Sequence, residues 1–342
     1  MKHLGDITLI HGNEIEPVDC IIGGSPCQDL SVAGKRAGLS GERSGLFMEQ
    51  IRIVKEMRNR YGKPRYMVWE NVPGAFSSNS GEDFRAVLEE TIRIANESAV
   101  VVPRPPRGGW TNAGCIMGDG YSVAWRLHNA QFWGVPQSRR RIALVADFGG
   151  ESAPEILFER EGEETSFDLA APEGISDRSG VWRDTYAVQG NHINRSDHRM
   201  NSAGYRLNVG YTMTLVDRNC VAYDDVLRRL TPLECERLQA YPDGWTDIGD
   251  WTDSKGKLHK AADEPRYKAL GNSIALPFWG WMLHRMAGYL PTGATMGSLF
   301  DGIGGFPLLW ERIHGAGTAR WASEIEEFAI AVTKIRFPEG VK

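Results

Sequence analysis

Short apolar runs that end in glycine or in one polar residue recur along this chain and predict its elements. Lys2–Ile10 reads as a strand carrying Gly5-Asp6-Ile7, and Val18–Gly24 as a second, in which Cys20-Ile21-Ile22 breaks at Gly23-Gly24. Leu46, Ile51, Val54 and Met57 fall at helical spacing and predict a helix over Leu46–Arg58. Tyr66–Trp69 predicts a short strand that runs into Glu70-Asn71-Val72-Pro73. A helix over Asp83–Ala95, a short strand over Ser98–Val102 and a Pro- and Gly-bearing loop over Pro103–Gly120 follow. Tyr121–Asn129 and Arg141–Ala146 predict a strand pair, separated by Gly134-Val135-Pro136-Gln137-Ser138-Arg139-Arg140.

Gly149–Gly180 is acidic and has no clean periodicity. Order returns near Arg228–Tyr241, where Thr231-Pro232-Leu233-Glu234 is a helix start. Thr231 is its N-cap, Pro232 sits in the first turn, and Glu234 closes a capping box. Gly244–Glu264 is polar and predicted to be loop, and Ile274–Met286 an apolar helix. After the connection Ala287–Met296, Ser298-Leu299-Phe300 predicts a strand that breaks at Asp301-Gly302-Ile303-Gly304-Gly305. Leu308, Leu309 and Ile313 mark the next helix, Arg320–Ser323 a strand ending at Glu324, and Phe328–Ile335 a last helix. Strands alternating with helices predict an α/β fold, in which polar groups gather at the carboxyl ends of the strands.

Composition narrows the class. The chain has 342 residues and a formal charge of −5, which argues mildly against a nucleic-acid protein on average but says nothing of local distribution. Val181–Val221 gathers Arg183, Arg195, Arg199, Arg206 and Arg218 among His192, His198, Tyr186, Tyr205 and Tyr211. That interleaving suits a nucleic-acid surface and equally a solvated β-rich module. The five cysteines are odd in number and lack a C-x-x-C spacing, so neither a disulfide framework nor a zinc site is expected. No apolar run reaches membrane-spanning length and no signal peptide is recognisable, so the expectation is a soluble, intracellular protein.

Two stretches carry candidate chemistry. Pro26-Cys27-Gln28 follows a predicted strand and presents a thiol at its carboxyl edge, which makes Cys27 a candidate nucleophile; a half-buried structural thiol is the plainer alternative. Gly302-x-Gly304-Gly305, with Glu324 about twenty positions later, is a nucleotide-type βαβ turn: glycines admit a ligand to the backbone, and the acid accepts from ribose hydroxyls. The spacing fits a dinucleotide or S-adenosylmethionine. Lacking the third glycine of the six-residue dinucleotide fingerprint, the turn leans to the latter. The loop Asp29–Gly45 has four glycines as candidate hinges.

Phe300-x-Gly-x-Gly-Gly, Gly5-Asp6-Ile7, Pro26-Cys27-Gln28, Glu70-Asn71-Val72, Gln137-x-Arg139-x-Arg141, Arg229–Pro242 and Gly271-Asn272-Ser273 together resemble the motif set of the DNA (cytosine-5) methyltransferases. The resemblance reaches every part of the chain except Gly149–Leu227. It departs in one respect of order, since the family begins with the Phe-x-Gly-x-Gly-Gly motif and here that motif comes last. Ser25 is a smaller departure, where bacterial members often carry an aromatic residue.

The resemblance implies a Rossmann-like S-adenosylmethionine-dependent methyltransferase sheet, circularly permuted, with a smaller β-rich target recognition domain. Residues 1–148 and 266–342 would form the catalytic domain and 149–265 the recognition domain and return segment. Catalysis would fall to Cys27, Glu70, Arg139 and Arg141: a thiolate adds to C6 of cytosine, a Glu70 carboxyl of raised pKa meets the ring, and the arginines hold O2 and a nearby phosphate. The cofactor, S-adenosylmethionine, would lie against Phe300, Asp301, Gly302, Gly304, Gly305, Glu324, Ile325, Asp6, Ile7, Pro26, Leu46 and Asn272. Gln28, Ser31, Asn71, Gln137 and Arg218 would meet the substrate, a cytosine flipped from the duplex; Thr214-Leu215-x-x-Asp217-Arg218 has the look of a recognition element. The implied partner is double-stranded DNA, with a cognate restriction endonuclease as a further candidate and no metal. The implied protein is a monomer, cytoplasmic and nucleoid-associated, of bacterial or phage origin.

Three alternatives stay open at this point: cytosine-5 methylation of RNA or of a free nucleotide by the same C6 addition, a non-catalytic DNA-binding relative, and a nicotinamide oxidoreductase built on the glycine turn.

Overall fold

The computed structural model describes residues 1–26, 45–98, 101–103, 109–159, 186–189, 205–213, 219–223 and 226–339. Its strands in chain order are β1 (Lys2–His3), β2 (Cys20–Gly23), β3 (Tyr66–Asn71), β4 (Ala113–Gly118), β5 (Tyr121–Asn129) and β6 (Arg140–Asp147). Then come β7 (Tyr186–Val188), β8 (Tyr205–Leu207), β9 (Cys220–Tyr223), β10 (Val226–Arg229), β11 (Trp251–Thr252), β12 (Leu258–His259), β13 (Met296–Leu299) and β14 (Ala319–Ser323). The main sheet has eight strands in the order β1-β14-β13-β2-β3-β6-β5-β4. Pairing is parallel from β1 to β3 and antiparallel from β3 through β6 and β5 to β4. Strands β7 to β10 form a separate antiparallel sheet, and β11 with β12 a hairpin.

The helices are α1 (Leu46–Tyr61), α2 (Glu82–Ala95), α3 (Ala153–Leu157), α4 (Pro232–Arg237), α5 (Asp263–Asn272), α6 (Leu276–Ala287), α7 (Gly305–His314) and α8 (Glu327–Arg336). They cover both faces of the sheet. Met67 and Trp69 of β3 pack with Phe47 and Val54 of α1 and Phe84 and Leu88 of α2. Tyr66 and Val68 point the other way, into a core holding Phe278, Met282 and Leu283 of α6 with Trp310 of α7. A strand buried on both faces has no polar alternation, which is why Tyr66–Trp69 reads as a continuous apolar run.

Several elements depart from the sequence expectation. The first strand stops at His3, because Gly5 takes φ +73° and Asp6 then caps a turn of 3₁₀ helix over Ile7–Leu9. Ala113–Gly118, inside the expected loop Pro103–Gly120, is a strand paired with β5. The β11–β12 hairpin lies within the expected loop Gly244–Glu264, and the described residues of Ser98–Val102 form no strand. Residues 29–44 of the expected loop Asp29–Gly45, most of Gly149–Gly180 and most of Val181–Val221 lie outside the described residues. The Thr231 capping box forms as read: Glu234 N donates to Thr231 Oγ1 at 3.3 Å, and Thr231 N donates to Glu234 Oε2 at 2.8 Å.

The two terminal regions meet. Strand β1 lies parallel to β14, Leu4 N donates to Ala322 O at 2.8 Å, and the Met1 amino group donates to Phe337 O at 3.1 Å.

Candidate active site

Because β1, β14, β13, β2 and β3 run parallel, their carboxyl ends gather at one edge of the sheet; β6, antiparallel to β3, begins there. That edge holds Asp6, Glu324, Phe300–Gly305, Ser25-Pro26, Glu70-Asn71 and Arg141.

On the β2–β3 side, two glycines admit close neighbours. A Cβ on Gly23 would lie 2.4 Å from Gln50 Oε1, and one on Gly24 would lie 2.8 Å from Glu70 Oε2. The next residue, Ser25, is buried and held twice: Trp69 Nε1 donates to its Oγ at 3.0 Å, and Asn71 Nδ2 donates to its carbonyl at 3.0 Å. Asn71 Oδ1 in turn accepts from Val72 N at 2.8 Å. Asn71, expected at the substrate, thus ties the end of β3 to the turn that leads into Pro26, which is exposed. Ser25, a departure from the family pattern, supplies the acceptor for the Trp69 indole. Cys27, Gln28 and Ser31 lie outside the described residues, as does Arg218.

Glu70 and Arg141 form an ion pair, Nε to Oε1 at 2.7 Å, with each side chain 14% exposed. The register accounts for it. Glu70 lies opposite Ala143, and Arg141, two residues before, shares that face of β6.

Arg139 has a different place. It precedes β6, is 2% exposed, and donates to Met213 O at 3.2 Å, to Gly271 O at 3.3 Å and to Ser273 O. Burial, and then the charge of Arg141, lower its pKa to about 9. The shared task expected of the two arginines therefore divides: Arg141 faces Glu70, whereas Arg139 holds backbone carbonyls of the segments before α6 and after β8. Gln137 is fully buried, and neither of its amide atoms has a partner among the described residues.

The β13–β14 side is built around the glycine turn. Phe300 takes φ +57°, and Gly302 and Gly304 take φ +57° and +79°, so the chain coils back on itself there. Glu324 Oε2 accepts from Gly302 N at 2.7 Å, while its Oε1 accepts from Ile325 N at 2.8 Å and Glu326 N at 2.9 Å. Acid and turn, paired in the sequence by spacing alone, are in contact. Ile325 beside them is 69% exposed. Asp6 is exposed and accepts from Thr8 N at 2.9 Å and Thr8 Oγ1 at 2.8 Å, whereas Ile7 is 4% exposed and packs into the core. Leu46 is half-buried at the start of α1, and Asn272 is exposed at the end of α5.

Asp301 is buried. Its Oδ1 accepts from Ser298 Oγ at 2.5 Å, and its Oδ2 has no partner among the described residues. Burial, with the nearby charge of Glu324, pushes its pKa up to about 7.

Sequence reading did not single out Tyr241. Its hydroxyl is buried, bonds Ser273 Oγ at 2.5 Å, and sits where a Cβ on Gly305 would fall, 2.4 Å away. Both residues lie inside stretches recognised as motifs, Arg229–Pro242 and Gly271-Asn272-Ser273, but spacing alone did not bring them under the glycine turn.

Among the described residues no cluster of His, Cys, Asp and Glu could hold a metal, and no helix is long and apolar enough to cross a membrane. Residues 1–95 match the family model described as C-5 cytosine-specific DNA methylase. The DNA N-6-adenine-methyltransferase of Escherichia phage P1 is 28% identical over 84% of this chain and 55% of its own length. The Type II methyltransferases M1.ScrFI of Lactococcus lactis subsp. cremoris and M2.BsuMI of Bacillus subtilis are each 26% identical over 80% and 79% of this chain. The chain spans 63% and 60% of the lengths of those two. The crystal structure of the S. pombe Dnmt2 methyltransferase aligns over 82% of both chains at 18% identity and a TM-score of 0.46.

Proposed function

From a chain whose residues 1–95 belong to the C-5 cytosine-specific DNA methylase family, we propose an enzyme that methylates C5 of a flipped cytosine in a specific duplex DNA sequence through a covalent Cys27–C6 adduct. The observation that carries the reading is the Glu70–Arg141 pair at 2.7 Å, set beside the turn that Asn71 anchors and that leads directly into Cys27.

Cytosine C5 is too weak a nucleophile to take a methyl group unaided. Addition of the Cys27 thiolate to C6 makes C5 enamine-like and splits one hard step into two. Glu70 meets N3 and the exocyclic amine, where charge develops, and Arg141 fixes the Glu70 carboxyl and offers its remaining N–H groups to O2. After the methyl has bonded to C5, loss of the C5 proton expels Cys27 and restores both ring and thiolate. A C6 inside a duplex is out of reach, so the base must leave the stack.

The residues present suit S-adenosylmethionine: a left-handed glycine turn open to a backbone approach, an acid on that turn, and an orphaned buried carboxyl oxygen. Phe300, the Asp301–Gly305 turn, Glu324, Ile325, Asp6, Pro26, Leu46 and Asn272 would hold it, and it would supply the electrophilic methyl. Residues 1–148 and 266–342 serve as the catalytic part, and 149–265 as the recognition part with its return segment. The order of motifs supports a circular permutation, in which β13, β14 and β1 would be consecutive in the common arrangement.

The test is a duplex oligonucleotide library carrying 5-fluorocytosine, incubated with the protein and S-adenosylmethionine. A denaturant-stable adduct, absent from Cys27→Ser, is expected. Methyl groups found on adenine, or on RNA alone, would overturn the reading.

A further inference from the structure

A cavity of about 320 Å³ opens at the end of β5, outside the site described above, and its walls include Arg126, Phe132, Trp133, Arg140 and Glu159. That volume is near the lower bound for ligand pockets, about 300 Å³, and suits one nucleotide unit rather than a longer segment. The end of the ladder builds the walls. Asn129 and Arg140 are the last pair of β5 with β6. Asn129 Oδ1 accepts from Arg139 N at 2.8 Å and from Gln131 N at 3.5 Å, and so caps the 3₁₀ turn Ala130–Phe132. Trp133 N donates to Ala130 O at 2.9 Å and closes that turn. The Phe132 ring is left 77% exposed, while Trp133 packs inward on Phe278 and Trp281, with ring centroids 4.9 Å apart in each case. A single exposed phenyl is ordinary; the charge beside it is not. Arg126 lies over the Trp133 ring at 5.4 Å and is neutralised by Glu159, Nη2 to Oε1 at 2.8 Å. His128 stays neutral, because burial and then the charges of Arg141, Arg126 and Arg139 lower its pKa well below the usual range. Arg140 is exposed, and its guanidinium has no ion-pair or hydrogen-bond partner among the described residues. One positive charge is thus left uncompensated beside an aromatic face, which complements one phosphodiester and one base.

We propose that this cavity is a second nucleotide site for the DNA strand, in which Arg140 holds a phosphate flanking the flipped cytosine and Phe132 stacks on the neighbouring base. The inference rests on the duplex-DNA reading above. Arg140 directly precedes Arg141, and consecutive residues leave a strand on opposite faces. The Glu70–Arg141 pair therefore serves the target nucleotide on one face of β6, and Arg140 serves the strand beside it from the other. The contact is made throughout the bound complex, so it adds affinity and register rather than chemistry.

Binding of the full chain, with S-adenosylhomocysteine present, to the duplex recovered from the adduct assay tests this. Along the target strand one phosphate at a time is replaced by an uncharged methylphosphonate, or one base by an abasic unit. Arg140→Ala should weaken the unmodified duplex about tenfold and lower the slope of its salt dependence by about one. At one flanking phosphate the methylphosphonate should weaken wild type about tenfold and Arg140→Ala no more than about twofold, since each change removes the same contact. Phe132→Ala should couple in the same way to one abasic position beside that phosphate, by about fivefold or more. Single-turnover methylation at saturating DNA should stay within about threefold in both variants. Penalties that simply add at every position, or a collapse of turnover with affinity intact, overturn the proposal while the methylation reading survives. Failure of wild type to bind or modify any duplex overturns both. Coupling seen on single-stranded RNA and not on the duplex also overturns the proposal. Both side chains are exposed, so the fold should hold in thermal melts; Arg140→Gln and Phe132→Leu replace any variant that melts early.

Discussion

Three of the described cysteines, Cys20, Cys220 and Cys235, can be argued against as nucleophiles. Burial pushes Cys235 up to about 12 and Cys20 well above the usual thiol range, and Cys220 is raised as well. A thiol that stays protonated is a poor nucleophile. Cys27→Ser should therefore lose methylation by several orders of magnitude while keeping DNA and cofactor binding, and alanine at Cys20, Cys115, Cys220 or Cys235 should keep activity within about tenfold. Radiolabelled methyl transfer measures both, and normal turnover in Cys27→Ser would end the assignment. The two arginines separate in the same way. Arg139→Ala strips three buried carbonyls of a donor and should cost at least about 2 kcal/mol of stability, read as a lowered urea midpoint. Arg141→Gln should leave that midpoint nearly unchanged and cut turnover about a hundredfold or more. Asp301 adds a pH signature. Its folded pKa, about 7, lies above its unfolded value, so its contribution to stability is complete below about pH 4 and is lost as pH rises through 7. Wild type should accordingly become less stable between about pH 4 and 7, by up to about 4 kcal/mol from this group, and Asp301→Asn should flatten that slope in thermal melts.

At the scale of elements, the glycine turn, the hydroxyl under it and the capped helix behind it act as one piece. Gly305→Ala would place a methyl 2.4 Å from the Tyr241 hydroxyl and 3.0 Å from Ile274 Cγ1, so the start of α7 must shift. Cofactor affinity should fall about tenfold or more, and Tyr241→Phe, by removing the nearest atom, should restore part of it in the double variant. Equal losses in Gly305→Ala with and without Tyr241→Phe would show that the hydroxyl is not what the glycine avoids. The sequence made part of this arrangement readable and hid the rest, for a physical reason. Local rules act over a few residues, so the Thr231 capping box, the break at Gly302–Gly305 and the apolar face of α1 were all legible. Long-range contacts carry no such mark. Nothing near Gly305 announces Tyr241, and nothing in the Gln-x-Arg-x-Arg spacing says that one arginine turns to Glu70 and the other to carbonyls at Met213, Gly271 and Ser273. Gly5 misled in the opposite direction: Lys2–Ile10 is apolar enough for a strand, but φ +73° at Gly5 and the Asp6 cap end it after His3. Ala113–Gly118 was lost to its glycines, which sit where Trp125 and Tyr121 of β5 press close and leave no room for a Cβ.

At the scale of the whole molecule, one sheet edge is assembled from both ends of the chain. Asp6 comes from the first residues, Phe300 and Glu324 from the last fifty, and β1 exists only as a partner of β14. Loss of everything after Gly317 would remove β14, α8 and Glu324, leaving β1 without a neighbour and β13 paired with β2 alone, so cofactor binding should vanish although Cys27 is untouched. The converse experiment probes the permutation directly. The Met1 amino group already meets Phe337 O at 3.1 Å, so a short linker from Lys342 to Met1 asks little of the fold. New ends can be opened within Ala287–Met296, the connection between α6 and β13, which carries the exposed residues Pro291, Thr292 and Gly293. The relinked chain runs β13, β14, β1, β2 in order and keeps every contact of the sheet edge. It should bind S-adenosylhomocysteine within about threefold of the original and methylate the same DNA sites, measured by calorimetry and by bisulfite mapping. A relinked chain that folds but no longer binds would mean that the present connectivity itself shapes the site, and the permutation reading would fall.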